Sequence, residues 1–262
     1  MVVADLHVHT DNSDGTLALD ALPEAARAAG IKVVAVTDHD RLHPGIDCPV
    51  ERREGVTLIH GIELRVESSA GRVDLLGYAV DPTPELREEV RRLQEDRIER
   101  GAAIIDRVES RLGIDLGLDP FEGIGRPHVA RAIADHPGAD YDVAGAFAEL
   151  IGEDCPCYVP REVPTFERGR RLLAGACSLV GLAHPLRYPD PEAALELAAG
   201  LDAVERWYPY ETAVDPAPVK DAIATHDLVA TGGSDAHGER IGDTGLDHEA
   251  YDAVERRLPE PS

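Results

Sequence analysis

Apolar residues in this chain fall into short, near-continuous runs, set between longer stretches where they recur every three or four positions. The runs at 2–8, 32–37 and 56–62, and a fourth at 72–80 after the Ser68-Ser69-Ala70-Gly71 turn, read as strands. Between the first two, residues 19–29 (Leu-Asp-Ala-Leu-Pro-Glu-Ala-Ala-Arg-Ala-Ala) carry a helical pattern that stops at Gly30. The second half repeats the theme: apolar runs at 179–183, 203–206 and 228–231 are separated by helical stretches at 191–199 and 216–225. Strands alternating with helices predict an α/β fold. Runs apolar at nearly every position suit a parallel sheet covered on both faces.

The middle of the chain differs. Residues 84–112 read as one long charged helix with an apolar side of Leu86, Val90, Leu93, Ile98, Ile105, Val108 and Leu112. Shorter helical patches follow at 128–136 and 143–151, and no strand is expected between 83 and 157. The expected organisation is a barrel built from 1–82 and 158–262, with 83–157 inserted as a helical lobe forming a wall or lid over its mouth.

Polar side chains of one chemical kind sit at or beside the strands: His7, His9 and Asp14, then His39, Glu63, Asp74, His184, Asp235 and His237. Burying so many imidazoles and carboxylates is costly unless they are partnered, and a cluster of divalent metals would partner them together. His7-Val8-His9 alternates along a strand, so both rings face one side. Glu63 is the candidate bridge, because a carboxylate has two oxygens with which to join two ions. Asp38 either orients an imidazole or caps the turn that follows it. Barrel enzymes place their chemistry at the C-terminal ends of strands.

Composition narrows the partners. The apolar share is 43 %, enough for a sizeable core, and at 4 % aromatic that core must be aliphatic. Acidic residues number 50 against 26 basic, a net charge of −24, and only Lys32 and Lys220 are lysines. Acidic residues spread along the whole chain read as a solvated acidic surface of the kind found in salt-rich cytoplasm. Long nucleic acid needs a basic stripe, which is missing. Neither a leader nor an apolar run of membrane-spanning length is present, so a cytoplasmic, reducing setting is expected, with Cys48, Cys155, Cys157 and Cys177 as free thiols. The lone Cys155-Pro156-Cys157 pair reads as small packing residues, not a metal site.

Five motifs in register, His7-Val8-His9, Thr37-Asp38-His39, Gly61-Ile62-Glu63, Ala183-His184-Pro185 and Ser234-Asp235-Ala236-His237, resemble those of the PHP (polymerase and histidinol phosphatase) superfamily. The resemblance implies a distorted (β/α)7 barrel, a trinuclear metal site and phosphoesterase activity. Carried over by position, His7, His9, Glu63 and Asp235 hold a first ion. Asp14, His39 and His237 hold a second. Glu63, residue 74 and His184 hold a third. Leu75-Leu76-Gly77-Tyr78, Gly125-Arg126-Pro127-His128-Val129-Ala130 and Ala183-His184-Pro185-Leu186-Arg187-Tyr188 resemble the branch containing nucleoside 3′,5′-bisphosphate phosphatases and a 5′–3′ exoribonuclease. That branch usually has His where this chain has Asp74, a change that favours harder ions such as Mn²⁺.

Two to three divalent ions are therefore expected, Mn first and Fe or Zn next. A water shared by two such ions about 3.5–4 Å apart is acidic enough to attack phosphorus near neutral pH. Arg126 and Arg187 are either phosphate clamps or surface arginines in ion pairs. His128 is either a proton donor or substrate contact, or simply a residue at the start of a lobe helix. Arg97 and Arg100, on the long helix, are expected in solvent, with the barrel mouth as the alternative. The function expected is hydrolysis of a small phosphomonoester, a nucleotide or nucleoside bisphosphate. The rivals are a histidinol-phosphate-type phosphatase, a short-RNA 5′–3′ exonuclease and a non-catalytic metal-binding module.

Overall fold

The structure is a computed structural model that describes residues 1–262. The chain divides into two compact units, Met1–Glu88 with Val163–Ser262, and Glu89–Glu162. The breaks expected at 83 and 157 thus fall at Glu88/Glu89 and Glu162/Val163.

The first unit is a mixed α/β unit around a nearly closed, barrel-shaped sheet. Its strands are β1 (Ala4–Val8), β2 (Val33–Val36), β3 (Val50–Arg53), β4 (Val56–Ser68), β5 (Gly71–Val80), β6 (Cys177–Leu182), β7 (Ala203–Trp207) and β8 (Val229–Gly232). The order around the sheet is β1-β2-β4-β5-β6-β7-β8, and β3 hangs on β4 as an added antiparallel strand. A bridge from Val8 to Ala236, just past β8, draws the two edges together. The apolar runs gave these strands because their residues are buried on both faces: β1 and β2 are buried at every position.

The helices are α1 (Leu22–Ala29), α2 (Pro84–Leu112), α3 (Arg126–Asp135), α4 (Val143–Ala146), α5 (Phe166–Ala174), α6 (Pro191–Leu197), α7 (Ala217–His226) and α8 (His248–Glu255). α1 starts with Pro23 in its first turn and ends at Gly30, whose φ of 76° is the left-handed cap a glycine accepts without strain. Leu22 and Ala26 of α1 pack in one apolar cluster with Val34 and Val36 of β2 and Leu58 of β4.

Two departures from expectation shape the site. β4 runs on to Ser68 instead of ending at 62, because a two-residue turn returns the chain directly as β5. β5 is consequently antiparallel to both β4 and β6. Reversal carries the early part of β5, and with it Asp74, to the end of the sheet where the parallel strands finish. β3, α5 and α8 had no clear signal: Val50–Arg53 is charged at three of four positions, and the two helices are short.

The second unit is helical, with α3, α4 and a π-turn at Phe147–Ile151. Its core joins Ile104, Ile105 and Val108 of α2 to Val129, Ala130 and Ile133 of α3 and to Leu150 and Ile151. Val90 and Ile98 are only half buried, and polar residues replace them inside: Glu89, Gln94 and Arg97 are each at most 7 % exposed. Glu89 pairs with Arg92 at 2.7 Å, and Gln94 accepts from the Gly123 amide at 2.9 Å.

Candidate metal centre

The polar residues singled out in the barrel unit meet at one end of its sheet. His7 lies in β1 and His9 just beyond it, their ring centroids 5.2 Å apart on one side of the strand. Asp14 comes from the following loop, His39 from the end of β2, and Glu63 and Asp74 from within β4 and β5. His184 follows β6, and Asp235 and His237 follow β8. The chain bends sharply to deliver two of them: φ is 28° at His184 and 50° at Asp235. Such left-handed backbone in non-glycine residues is a local strain the rest of the fold must hold. Gly233 makes the last approach possible, since a Cβ there would lie 2.3 Å from the His7 amide nitrogen.

Glu63 is fully buried at the centre. Its Oε2 lies 3.5 Å from His7 Nε2, 3.4 Å from His9 Nε2 and 2.7 Å from His39 Nδ1, and its Oε1 lies 3.0 Å from His184 Nε2. Asp235 Oδ1 is 3.4 Å from His7 Nε2 and 3.1 Å from His9 Nε2. Asp14 Oδ1 is 3.3 Å from His237 Nε2, and the His9 and His237 rings stack at 4.2 Å.

Charge follows this crowding. Burial opposes ionisation of Asp14, yet His39, His237 and His9 hold its carboxyl well below the usual range. Burial likewise opposes the imidazolium of His7, but Glu205, Asp235 and Glu63 raise its pKa well above normal. His9 moves the other way, because burial and the neighbouring His39 both disfavour its charge.

Several residues that support this centre carried no motif. Glu205 of β7 accepts from His7 Nδ1 at 3.0 Å and from the His184 amide at 2.7 Å. Asp5 of β1 accepts from the Ser234 and Gly242 amides at 2.9 and 2.7 Å and from the Ser234 hydroxyl. Burial pushes its carboxyl up to about 6. The one signal either gave is an acid inside an otherwise apolar run. Asp38 takes neither an imidazole nor a simple cap. It gathers the loop before Asp14, accepting from the Thr10 amide at 2.7 Å, the Thr10 and Ser13 hydroxyls at 2.8 Å and Asn12 Nδ2 at 3.0 Å. Arg187 donates to Tyr208 Oη at 2.8 Å and to Asp235 Oδ2 at 3.2 Å, while the Tyr208 hydroxyl donates to the same oxygen at 2.8 Å.

Do these residues fit metal ions? His7 Nε2, His9 Nε2 and Glu63 Oε2 are shut from solvent, and none sits in a well-aligned hydrogen bond despite such short separations. Lone pairs converging on a point, not N–H groups aimed at oxygens, are what a cation requires. Three groups each offer ligand atoms within 4.8 Å of one another, and two of them are His7, His9 and Glu63, and His9, Asp14, His39 and His237. Imidazole and carboxylate together suit Mn, Fe or Zn, so these two positions fit divalent ions. His9 belongs to both groups, not to the first alone. The third corner is different. Glu63, Asp74 and His184 also converge, but both Asp74 oxygens already accept from Arg65, at 2.7 Å from Nε and 2.6 Å from Nη2. A guanidinium has neutralised that carboxylate, and the corner does not fit a divalent ion as the other two do.

Arg126 and His128 belong to the helical unit. His128 Nδ1 accepts from the Gly125 amide at 3.1 Å, closing the start of α3. The Arg126 guanidinium lies 5.7 Å from the ring centroids of both Phe147 and Tyr158. Arg97 and Arg100 are not in solvent as expected. Arg97 is 7 % exposed and donates to the Ile124 carbonyl, and Arg100 donates to the Val159 carbonyl at 2.8 Å. Burial together with Arg126, Arg161 and Arg97 pulls the Arg100 pKa down to about 10. Cys155 donates to the Ala148 carbonyl at 3.2 Å and Cys157 is buried in the helical core.

The PHP domain family model matches residues 5–141, just over half of the chain. The chain therefore belongs to the PHP family. It is 27 % identical to a 3′,5′-nucleoside bisphosphate phosphatase of Chromobacterium violaceum, over 95 % of this chain and 92 % of that protein. It is also 27 % identical to a phosphoribosyl 1,2-cyclic phosphate 1,2-diphosphodiesterase of Eggerthella lenta, over 91 % and 95 % of the two chains. Against a 5′-3′ exoribonuclease of Haemophilus influenzae the identity is 29 %, over 70 % of this chain and 69 % of that one. Two solved structures share the fold at 24 % identity. One, from Bifidobacterium adolescentis, is described as a candidate metal-dependent phosphoesterase and matches with a TM-score of 0.81 over 99 % of this chain and 97 % of its own. The other, a sulfate-bound amidohydrolase from Chromobacterium violaceum, matches with 0.79 over 99 % and 98 %. Family and site together make the protein a hydrolase, a metal-dependent phosphoesterase.

Proposed function

We propose that the chain hydrolyses a small phosphomonoester, a nucleotide or nucleoside 3′,5′-bisphosphate, with manganese as its working metal. The observation that carries this reading is the set of converging ligand atoms around Glu63, open to a cavity of about 290 Å³ that His39, Arg65, His184, Arg187, Tyr208, Asp235 and His237 also line. That volume takes a phosphoryl group with room to spare for part of what it is attached to. Bound divalent ions supply an acidified water and neutralise phosphoryl oxygens.

The rest of the work falls to side chains. Glu205 keeps the Nδ1 proton of His7 turned away from the centre, so Nε2 is the nitrogen that would give up its proton and offer a lone pair to an ion. Arg187 and Tyr208 hold Asp235 from the other side. A second cavity of about 490 Å³ shares Arg187, Tyr208 and Asp235 with the first and continues past Pro209 and Tyr210 to Val214. Its two tyrosine rings, 4.8 Å apart, offer the leaving group an aromatic wall. The fit to a nucleoside, with the full-length similarity to a bisphosphate phosphatase, favours nucleotides over histidinol phosphate. The net charge of −24 disfavours a long polynucleotide. No helix is long and apolar enough to cross a membrane. A cytoplasmic location is part of this proposal, favoured by four cysteines that are all free thiols.

Phosphate release from the manganese-loaded protein tests the substrate. A panel of nucleoside monophosphates, 3′,5′-bisphosphates, histidinol phosphate and a 5′-phosphorylated oligonucleotide should give the highest kcat/KM with a bisphosphate. Histidinol phosphate turned over faster than every nucleotide, or shortening of the oligonucleotide ahead of them, overturns the assignment.

A further inference from the structure

The corner built by Glu63, Asp74 and His184 holds a positive charge of its own. Arg65 and Asp74 are direct cross-strand partners in the β4–β5 register, so the sheet itself sets the two side chains face to face. The pairing is bidentate, Nε on Oδ1 at 2.7 Å and Nη2 on Oδ2 at 2.6 Å, and Asp74 is fully buried. The Arg65 amide donates to Asp40 Oδ1 at 3.1 Å, which pins the base of the side chain. Oδ2 is also the oxygen that faces His184 Nε2, at 3.7 Å. Any ion taken up between His184 and Asp74 would thus sit against the guanidinium, with like charges sharing one oxygen.

We propose that Arg65 replaces a third divalent ion: the centre binds two metals, and the guanidinium of Arg65 takes the phosphoryl contact at the third corner. A guanidinium carries five N–H donors in a rigid fork, and Asp74 uses two of them. Arg65 lines the same small cavity as Glu63, His184 and Arg187, so its remaining donors border the space where a phosphoryl group fits. With Asp74 taken by Arg65, Glu63 is left to serve the first position beside His7 and His9. A guanidinium is always charged and cannot be stripped by a chelator, so this corner keeps its guanidinium at any metal concentration.

The inference rests on the phosphoesterase reading but is tested apart from it, by counting metal. Protein saturated with Mn²⁺ and desalted should carry two ions per chain by elemental analysis. Asp74→Asn keeps the shape but removes the charge, and should still carry two. Arg65→Met releases Asp74 and should admit a third ion. In calorimetry on protein loaded to two manganese ions per chain, so that no third ion fills the corner, Arg65→Met should weaken inorganic phosphate at least tenfold, and Arg65→Lys should recover part of that. Three ions on the unaltered protein, or one fewer on Asp74→Asn than on the parent, overturns the proposal and leaves the phosphoesterase assignment standing. Failure of the unaltered protein to hold any manganese would instead remove both.

Discussion

Glu205 and His7 form a buried pair in which the carboxylate, 3.0 Å from Nδ1, decides which ring nitrogen faces Glu63 and Asp235. A histidine offered to a metal needs its proton on the far nitrogen, and an outer acceptor fixes that tautomer. Glu205→Gln should therefore keep the fold yet weaken metal at the first position by about 10–100-fold, the usual cost of losing such a partner. Competition between the protein and a chelator for Mn²⁺ measures it, and unchanged affinity would show that His7 is not a ligand.

Asp38 works one step further out. Four donors from Thr10, Asn12 and Ser13 end on its carboxylate, and the loop they hold carries Asp14. Asp38→Ala leaves those buried donors unmatched, which should cost about 3 kcal/mol of stability. The denaturant midpoint of metal-free protein reads that loss directly. A second effect is expected on the second ion, whose affinity should fall with the loop's order.

The acid limb of stability should carry the mark of His60. Burial and the nearby His43 lower its pKa to about 4, whereas an unfolded histidine titrates near 6.5. Between those values the unfolded chain binds the extra proton, so stability is intact above about 6.5 and is lost as pH falls toward 4, by up to roughly 3 kcal/mol. Unfolding of chelator-treated protein from pH 7 to 4 should show this slope, and His60→Gln should flatten it. An equal slope in parent and variant would assign the acid sensitivity elsewhere.

Much of the centre could be read from the chain because its ligands stand beside apolar runs, where an imidazole or carboxylate has no cheap structural role. Strand ends announced His7, His9, His39, His184, Asp235 and His237. What stayed hidden depends on pairing across the sheet. The register that sets Arg65 against Asp74 follows from β4 running unbroken into the turn at 68–71; the turn is legible in the sequence, but the near-continuous apolar run breaks off at 62. Glu205 and Asp5 are single acids in apolar strands, and only the closed sheet brings them under His7 and Ser234. Arg97 and Arg100 read as solvated because α2 is charged on most faces, yet folding turns them toward the Ile124 and Val159 carbonyls.

Arg187 and Tyr208 converge on Asp235 Oδ2, and their roles separate on substitution. Arg187→Ala removes a charged fork from the cavity and should raise KM about tenfold with a smaller change in kcat. Tyr208→Phe should lower kcat without shifting the alkaline limb of the pH profile. Burial and Asp235 push the Tyr208 hydroxyl well above its usual range, so it does not titrate where the enzyme works. Steady-state kinetics with a nucleoside bisphosphate across pH 6–10 distinguishes the two outcomes.

Anomalous diffraction at the manganese edge, from crystals grown with Mn²⁺, tests the centre most directly. One peak is expected among His7, His9, Glu63 and Asp235 and another among Asp14, His39 and His237, with no third beside Arg65. Peaks lying away from these side chains, or none at all, would contradict the assignment of this cluster as the metal site of a phosphoesterase.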